Sequence, residues 1–491
     1  MQLHTLTVHQ LSQLLADKEV SSLELTQAYL ERIRQKDHEL QAFVTVTGEQ
    51  ALAQARLVDE QRLGGEELSA LAGIPMAVQD NICTAGVKTT CASRMLSHYI
   101  PPADATVMGR LKKAGSVLIG KANLDEFGMG SSTGHSACHD TRNPFDPRAV
   151  PGGSGGGAAA AVAAGEAAFA LGSDTGGDIR QPAAFCGVIG LKPTYGYVPR
   201  TGLISYASSL DQIGPFARDL KDLALILKTI CGHDAGDSTS ALLEVPDFRE
   251  SLSNDSNDIK GLKIGLPKEY FAAGVSPGVA ARLQEAITKL EELGARCVEV
   301  TLPHTEVAAA AHYALACAEA SSNLARYDGV RYGLRVEGED VQNMFMKTRG
   351  QGFGSAVKRS IMLGTHVLSS AHYDDYYTQA LKVRTLNSQD FAQAFEQVDC
   401  LLTPATLTTA PQKSDLAGDS LALVHSHRCT LPANLAGLPA LSLPYGLSEG
   451  MPVGLQLIGR HFDEQTLLRV AYTLEQNTDQ TRPQPNPADR K

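Results

Sequence analysis

The stretch PGGSGGGAAAAVAAGEAAFALGSDTGGDIRQPAAFCGVIGLKP, from Pro151 to Pro193, constrains this chain more than any other. Glycine is costly inside regular elements, so glycine at this density marks unusual backbone angles or close approach of the backbone to a ligand. One glycine-rich loop opens an alanine-rich helix, and a second follows an apolar run that reads as a strand. Backbone amides exposed at such turns receive an anion or a developing oxyanion. Tight packing of helix on sheet explains the same composition without any ligand. A phosphate loop fits poorly, because no GxxxxGK(S/T) occurs, and GxGxxG spacing after a first strand is absent as well.

Around this centre the pattern alternates between strand, loop and helix. IPMAV (74–78), SVLIG (116–120) and FALGS (169–173) are short apolar runs that read as buried strands, with helical segments at 105–113 and 157–168 between them. Residues 8–36 read as two short helices, the second opened by Ser21 and Glu24 at capping-box spacing. LKIGL (262–266), RCVEV (296–300), CLLTP (400–404), ALSLP (440–444) and GLQLIG (454–459) predict further strands, with a helix near 279–293. The alternation predicts an α/β fold with a large mixed central sheet covered by helices on both faces. It divides the chain into an N-terminal helical segment (1–70) packing on the core and one main domain (71–478). That domain carries a polar connection (234–259) and a helical lobe (about 305–397), and a disordered tail (479–491) follows it.

The formal net charge of -11 argues against broad nonspecific binding to nucleic acid. No apolar run is long enough to span a bilayer, and the opening MQLHTLTVHQ has neither a basic leader nor a secretory core. Nine cysteines without CxxC spacing argue against a disulfide framework and for a reducing cytoplasm. Cys231 and Cys400 lie in apolar stretches and read as small core residues.

Several long motifs carry a resemblance beyond these patterns. LAGIPMAVQDNICTAGVKTTCAS, PPADATVMGRLKKAGSVLIGKANLDEFGMGSS and the glycine-rich centre resemble the amidase signature family. TRNPFDPRAVPGG, SLDQIGPFARDLKDLAL, EASSNLARYDGVRYG and LPANLAGLPALSLPYG sharpen the match toward its A-subunit branch in the transfer-RNA-dependent amidotransferases. The similarity covers roughly residues 5–478. It implies amide hydrolysis by a nucleophilic serine, a bridging cis-serine and a neutral lysine, with glycine amides stabilising the oxyanion. It implies no cofactor. It also implies B and C subunits as partners, with transfer RNA reached only through them.

Carried over residue by residue, the resemblance meets substitutions. The lysine position is Gln79, the bridging serine is Ser154 and the nucleophile position is Asp178. The position beside Ser154, usually a second serine, is Gly155. A glutamine amide has no useful basicity. A carboxylate at 178 would attract the oxyanion-stabilising amides and block an incoming carbonyl. Thr175, Gly176 and Gly177 match pocket positions, as do Ser360, where the family carries an arginine, and His427, where it carries an aspartate. The resemblance so modified implies a catalytically inactive pseudo-amidase acting by binding or assembly. The alternative is an active amidohydrolase or glutamine amidotransferase component with altered chemistry. Gains of His135, Cys138, His139, His312, His366, His372, His425 and His427 leave metal-assisted hydrolysis as one form of that alternative, although no two share a strong metal motif and the assignment here is no metal.

Overall fold

Runs of four to nine residues, most of them fully buried, make the strands, and all eight runs read as strands from sequence take part. The computed structural model describes residues 2–252, 258–271, 274–416, 427–480 and 483–485. Among them, β1 (Phe43–Val46), β2 (Pro75–Gln79), β3 (Val117–Ala122), β4 (Phe169–Asp174), β5 (Ile189–Lys192) and β6 (Gln212–Ala217) precede the polar connection. After it come β7 (Lys263–Pro267), β8 (Arg296–Val300), β9 (Cys400–Pro404), β10 (Ala440–Ser448) and β11 (Met451–Ile458). All eleven form one sheet in the order β1-β3-β2-β4-β6-β5-β10-β11-β9-β7-β8. The runs β3-β2-β4 and β9-β7-β8 are parallel, and the other neighbours are antiparallel. The sheet is therefore mixed, with helices on both faces, and strands from either side of residues 234–259 share it.

Three strands escape the sequence reading. β5 and β6 are short and interrupted by Gly190, Gly214 and Pro215, residues that count against a strand unless neighbours hold it. β1 is four residues squeezed between helices and pairs with β3, so the N-terminal segment supplies a strand as well as helices.

The helices are α1 (Val8–Ala16), α2 (Ser22–Leu40), α3 (Gly48–Leu63), α4 (Thr106–Lys113), α5 (Gly156–Ala163), α6 (Arg180–Cys186) and α7 (Leu220–Ile230). They continue as α8 (Pro277–Glu292), α9 (Thr305–Asn323), α10 (Val341–Gly352), α11 (Ser355–Val367), α12 (Gln379–Phe395), α13 (Leu431–Leu435) and α14 (Glu464–Gln476). The capping box of α2 forms: the Glu24 amide donates to Ser21 Oγ at 3.1 Å and the Ser21 amide to Glu24 Oε2 at 2.9 Å. Helix α5 is shorter than the sequence suggests, because Gly165 turns the chain at φ +75° just beyond it. Cys231 and Cys400 are buried and free. Among the described residues no helix is long and apolar enough to cross a membrane. His425 and most of the tail lie outside the described residues.

A histidine latch ties α1 to α7. The amides of Val8 and His9 donate to the Asp222 carboxylate at 2.7 and 2.8 Å. The His9 ring approaches Asp222 at 3.0 Å and Asp219 at 3.3 Å. Hydrogen bonds from Asp219 and then Asp222 raise the imidazole to about 9 against its burial. A raised folded value means that the latch's stabilisation is fully present below the ordinary histidine pKa and is lost as pH rises through about 9. His9→Ala is therefore expected to cost about 1 kcal/mol near pH 6, the half-exposed ring being partly screened by water. The difference should shrink toward zero above pH 9 in urea unfolding. A difference that does not change between these pH values would contradict the latch.

Candidate active site

Strand β4 runs directly into the second glycine loop, Thr175-Gly176-Gly177-Asp178, which leads into α6. An ion pair anchors the loop from beneath. Arg180 reaches Asp174 through Nε and Nη2, both at 3.1 Å, and both side chains are wholly buried. Arg180 Nη1 also donates to Gln456 Oε1 at 2.6 Å and to the Thr430 carbonyl at 3.1 Å, and Nη2 donates to Asn434 Oδ1. Burial alone would raise Asp174, but the Arg180 guanidinium holds its carboxyl well below the usual range. The carboxylate in turn accepts the amides of Gly177 and Ile179. Gly177 sits at φ +131°, and a Cβ there would lie 2.0 Å from Thr430 Oγ1, so the loop tolerates only glycine at this point.

The first glycine loop brings Ser154 to the same place. The Gly153–Ser154 peptide is cis, and the Thr133 hydroxyl donates to the Gly152 carbonyl at 2.7 Å. Helix α5 then packs on the interior strands β4 and β2, and a Cβ on Gly157 would lie 2.4 Å from the Asn123 carbonyl. From the end of β2, Gln79 enters the group. Its Oε1 accepts the Ser173 amide at 2.6 Å, which turns Nε2–H toward Ser154 Oγ at 3.5 Å, the outer limit of a hydrogen bond. Ser154 thus faces a donor where a base would have to offer a lone pair.

Asp178 occupies the centre. Its Oδ2 accepts the amides of Thr175 at 2.8 Å and Gly176 at 2.9 Å, and its Oδ1 accepts the Ser154 amide at 3.0 Å. The donors that such a loop offers to an oxyanion are therefore turned onto a side chain of the loop itself. Burial, and then the neighbouring Asp174 charge, push the Asp178 carboxyl up to about 7, while the three amides pull it down.

A cleft of about 720 Å³, counted to its open mouth, lies over Asp178. Gly176, His312, His427, Tyr206, Tyr313 and Ser360 are among its walls, with Arg359 exposed at the rim. The His312 ring donates Nε2–H to the Thr175 carbonyl at 2.9 Å, and the His427 ring donates Nε2–H to the Gly153 carbonyl at 3.1 Å. Burial lowers both to about 4, so both rings are neutral at neutral pH.

The sequence-derived positions Gln79, Ser154, Thr175, Gly176, Gly177 and Asp178 thus converge on one loop cluster, and Ser360 and His427 face it across the cleft. Tyr206, Tyr313 and Arg359 were not singled out from sequence. Arg359 adjoins Ser360 on α11, but only the helix's placement brings it to the rim. Of the histidine and cysteine gains, His135, His312 and His427 line the cleft. His139 instead bonds the Phe43 carbonyl at 3.0 Å, Cys138 is exposed, and His366 lies against His372 on the helical lobe, with ring centroids 4.0 Å apart and the rings tilted by 37°. Among the described residues, only His9, Asp219 and Asp222 bring three ligand atoms within 4.8 Å of one another, and that set lies at the α1–α7 latch. The cleft residues named above do not form such a set.

A protein-family model described as Amidase matches residues 24–468. The chain is 61% identical to the A subunit of the glutamyl-tRNA(Gln) amidotransferase of Moorella thermoacetica over 485 residues, 99% of each chain. It is 57% identical to that of Desulforamulus reducens over 99% of this chain and the whole of the other. The crystal structure of the corresponding glutamyl-tRNA(Gln) amidotransferase chain from Thermotoga maritima superposes with a TM-score of 0.81 at 40% identity, covering 99% of this chain and 98% of the other. The peptide amidase of Stenotrophomonas maltophilia superposes with a TM-score of 0.81 at 32% identity, covering 97% and 98%.

Proposed function

The chain belongs to the amidase family, and on that premise we propose that it is an A-subunit-type component of a glutamyl-tRNA(Gln) amidotransferase that binds and assembles without cleaving amides. The observation that carries this reading is the seat of Asp178. In the mechanism that the resemblance implies, a serine at this position attacks the carbonyl and the loop amides hold the oxyanion. Here the carboxylate takes the amides of Thr175, Gly176 and Ser154 for itself. Gln79 adds a second defect, since an amide N–H directed at Ser154 cannot accept its proton. Partnership with B and C subunits is supported by near-complete coverage of the A-subunit relatives at high identity.

The test is ammonia release from glutamine and a small panel of amides, with and without added B and C subunits. No release above the protein-free blank is expected in either setting, together with co-purification of the three subunits. Release by the wild-type chain would overturn the reading in favour of an active amidohydrolase.

The double variant Gln79→Lys, Asp178→Ser checks how far the pocket has diverged. It is expected to remain about 10²-fold or more below an intact A-subunit enzyme, since small misplacements of catalytic groups cost that much. Ser360 and His427 still replace the family's arginine and aspartate. A serine at 155 is also obstructed, because a Cβ on Gly155 would lie 2.5 Å from the Asp178 carbonyl oxygen. Full activity from the double variant would mean that the pocket had not diverged.

A further inference from the structure

An amide-cleaving site needs a floor that donates hydrogen bonds, because its amides must meet a carbonyl oxygen. The floor of this cleft has the opposite character. A carboxylate offers about four acceptor positions. The loop amides take two on Asp178 Oδ2 and one on Oδ1, which leaves a further acceptor position on Oδ1. His312 and His427 both donate through Nε2, so each neutral ring keeps Nδ1 as a lone-pair acceptor. The Ser360 hydroxyl donates to the Ala356 carbonyl at 3.1 Å and therefore meets a ligand with its oxygen lone pairs. The buried cations behind the loop are engaged elsewhere: Arg180 on Asp174, Asn434, Gln456 and Thr430, and Lys192 on the Pro193 carbonyl.

A carbonyl or carboxylate directed at this floor would set acceptor against acceptor. An ammonium group brings three N–H donors and a compensating charge. On the reading that amide cleavage is lost, we infer that the cleft binds a small molecule through a primary ammonium group directed at Asp178. Arg359 at the rim leaves room for a carboxylate at the outer end of such a molecule, as in a basic amino acid.

Binding of this kind is linked to the ionisation of Asp178. The titratable and charged groups around it are Asp174 at the end of β4, Arg180 on α6, Lys192 on β5, Tyr206 before β6, His312 and Tyr313 on α9, Arg359 on α11, His427 before α13 and His135 after β3. Asp174 stays charged, and Tyr206, His312 and His427 stay neutral, between pH 5.5 and 8. Lys192, lowered by burial to about 7, loses its positive charge over the same range, which also favours a cation at high pH. With Asp178 near 7, roughly 3% of the sites are ionised at pH 5.5 and roughly 90% at pH 8, so affinity should rise roughly 30-fold.

Isothermal titration calorimetry of the full chain with n-butylammonium and L-lysine, against butyramide and butyrate, which lack an ammonium group, tests this. Both ammonium compounds are expected to bind and the other two are not. Affinity should be roughly 30-fold tighter at pH 8 than at pH 5.5, and Asp178→Asn should remove binding. The wild-type pH profile serves as the second measurement if that variant folds poorly. Failure of ammonium compounds to bind at pH 8, or binding indifferent to pH, would overturn the inference. Glutamine hydrolysis by the same preparation would instead overturn the non-cleaving reading, so the two failures are told apart.

Discussion

Arg180→Met is expected to destabilise the protein by about 3–5 kcal/mol, the cost of removing one partner from a buried ion pair. The substitution strands the Asp174 carboxylate, wholly buried, with its charge uncompensated. It also strips hydrogen bonds from Asn434, Gln456 and the Thr430 carbonyl, which belong to segments some 250 to 276 residues distant in sequence. Arg180 is thus the joint between the glycine loop, α13 and β11. Its loss should release the loop that carries Asp178, so the calorimetric response to ammonium compounds should fall with stability. Urea unfolding measures the first effect. Adding Asp174→Asn should recover part of the loss, because the stranded charge is removed. A loss below about 1 kcal/mol in the single variant would contradict a buried, uncompensated carboxylate.

Gly364→Val should cost about 3 kcal/mol, the upper end of what overpacking a close contact typically brings. Gly364 lets α11 lie against the backbone of α9, and a Cβ there would sit 1.9 Å from the Cys317 carbonyl oxygen. A backbone carbonyl inside a helix cannot step aside as a flexible side chain would, so the two helices must separate. Because α11 carries Arg359 and Ser360, and α9 carries His312 and Tyr313, separation widens the cleft as well as loosening the lobe. The control is Gly350→Ala in α10, where a Cβ would meet nothing within 4 Å. That change should stabilise by about 0.5–1 kcal/mol, through helix propensity and a less flexible unfolded chain. Equal effects at the two positions would contradict the close approach of α9 and α11.

Local chemistry made much of this molecule legible before any fold was known. A five-residue apolar run such as RCVEV or CLLTP carries its strand identity in its own composition, and β8 and β9 follow those runs residue for residue. Ser21 and Glu24 cap α2 through contacts three residues apart. Elements that broke local rules stayed hidden: β6 contains Gly214 and Pro215 and is a strand only because β4 and β5 pair with it from either side. The site divides in the same way. Gln79, Ser154 and Asp178 could be picked out by resemblance, but Tyr313 and Arg359 join them only because the lobe folds over the loop, and Tyr206 only because the segment before β6 packs there.

By itself, the sequence determined eight of the eleven strands, several helices, the two glycine loops and the residue types standing at the substituted positions. Each of these depends on neighbours a few residues apart, or on motifs read whole. Only the tertiary structure decided that strands from both halves of the chain share one sheet, and that Ser154 of the first glycine loop brings its amide onto Asp178 of the second. It alone decided, too, that two neutral histidines turn the cleft floor toward donors. The physical reason is that these outcomes depend on partners 24 to 276 residues apart. A side chain's burial, charge state and hydrogen-bonding direction are set by such partners once the packed interior excludes water.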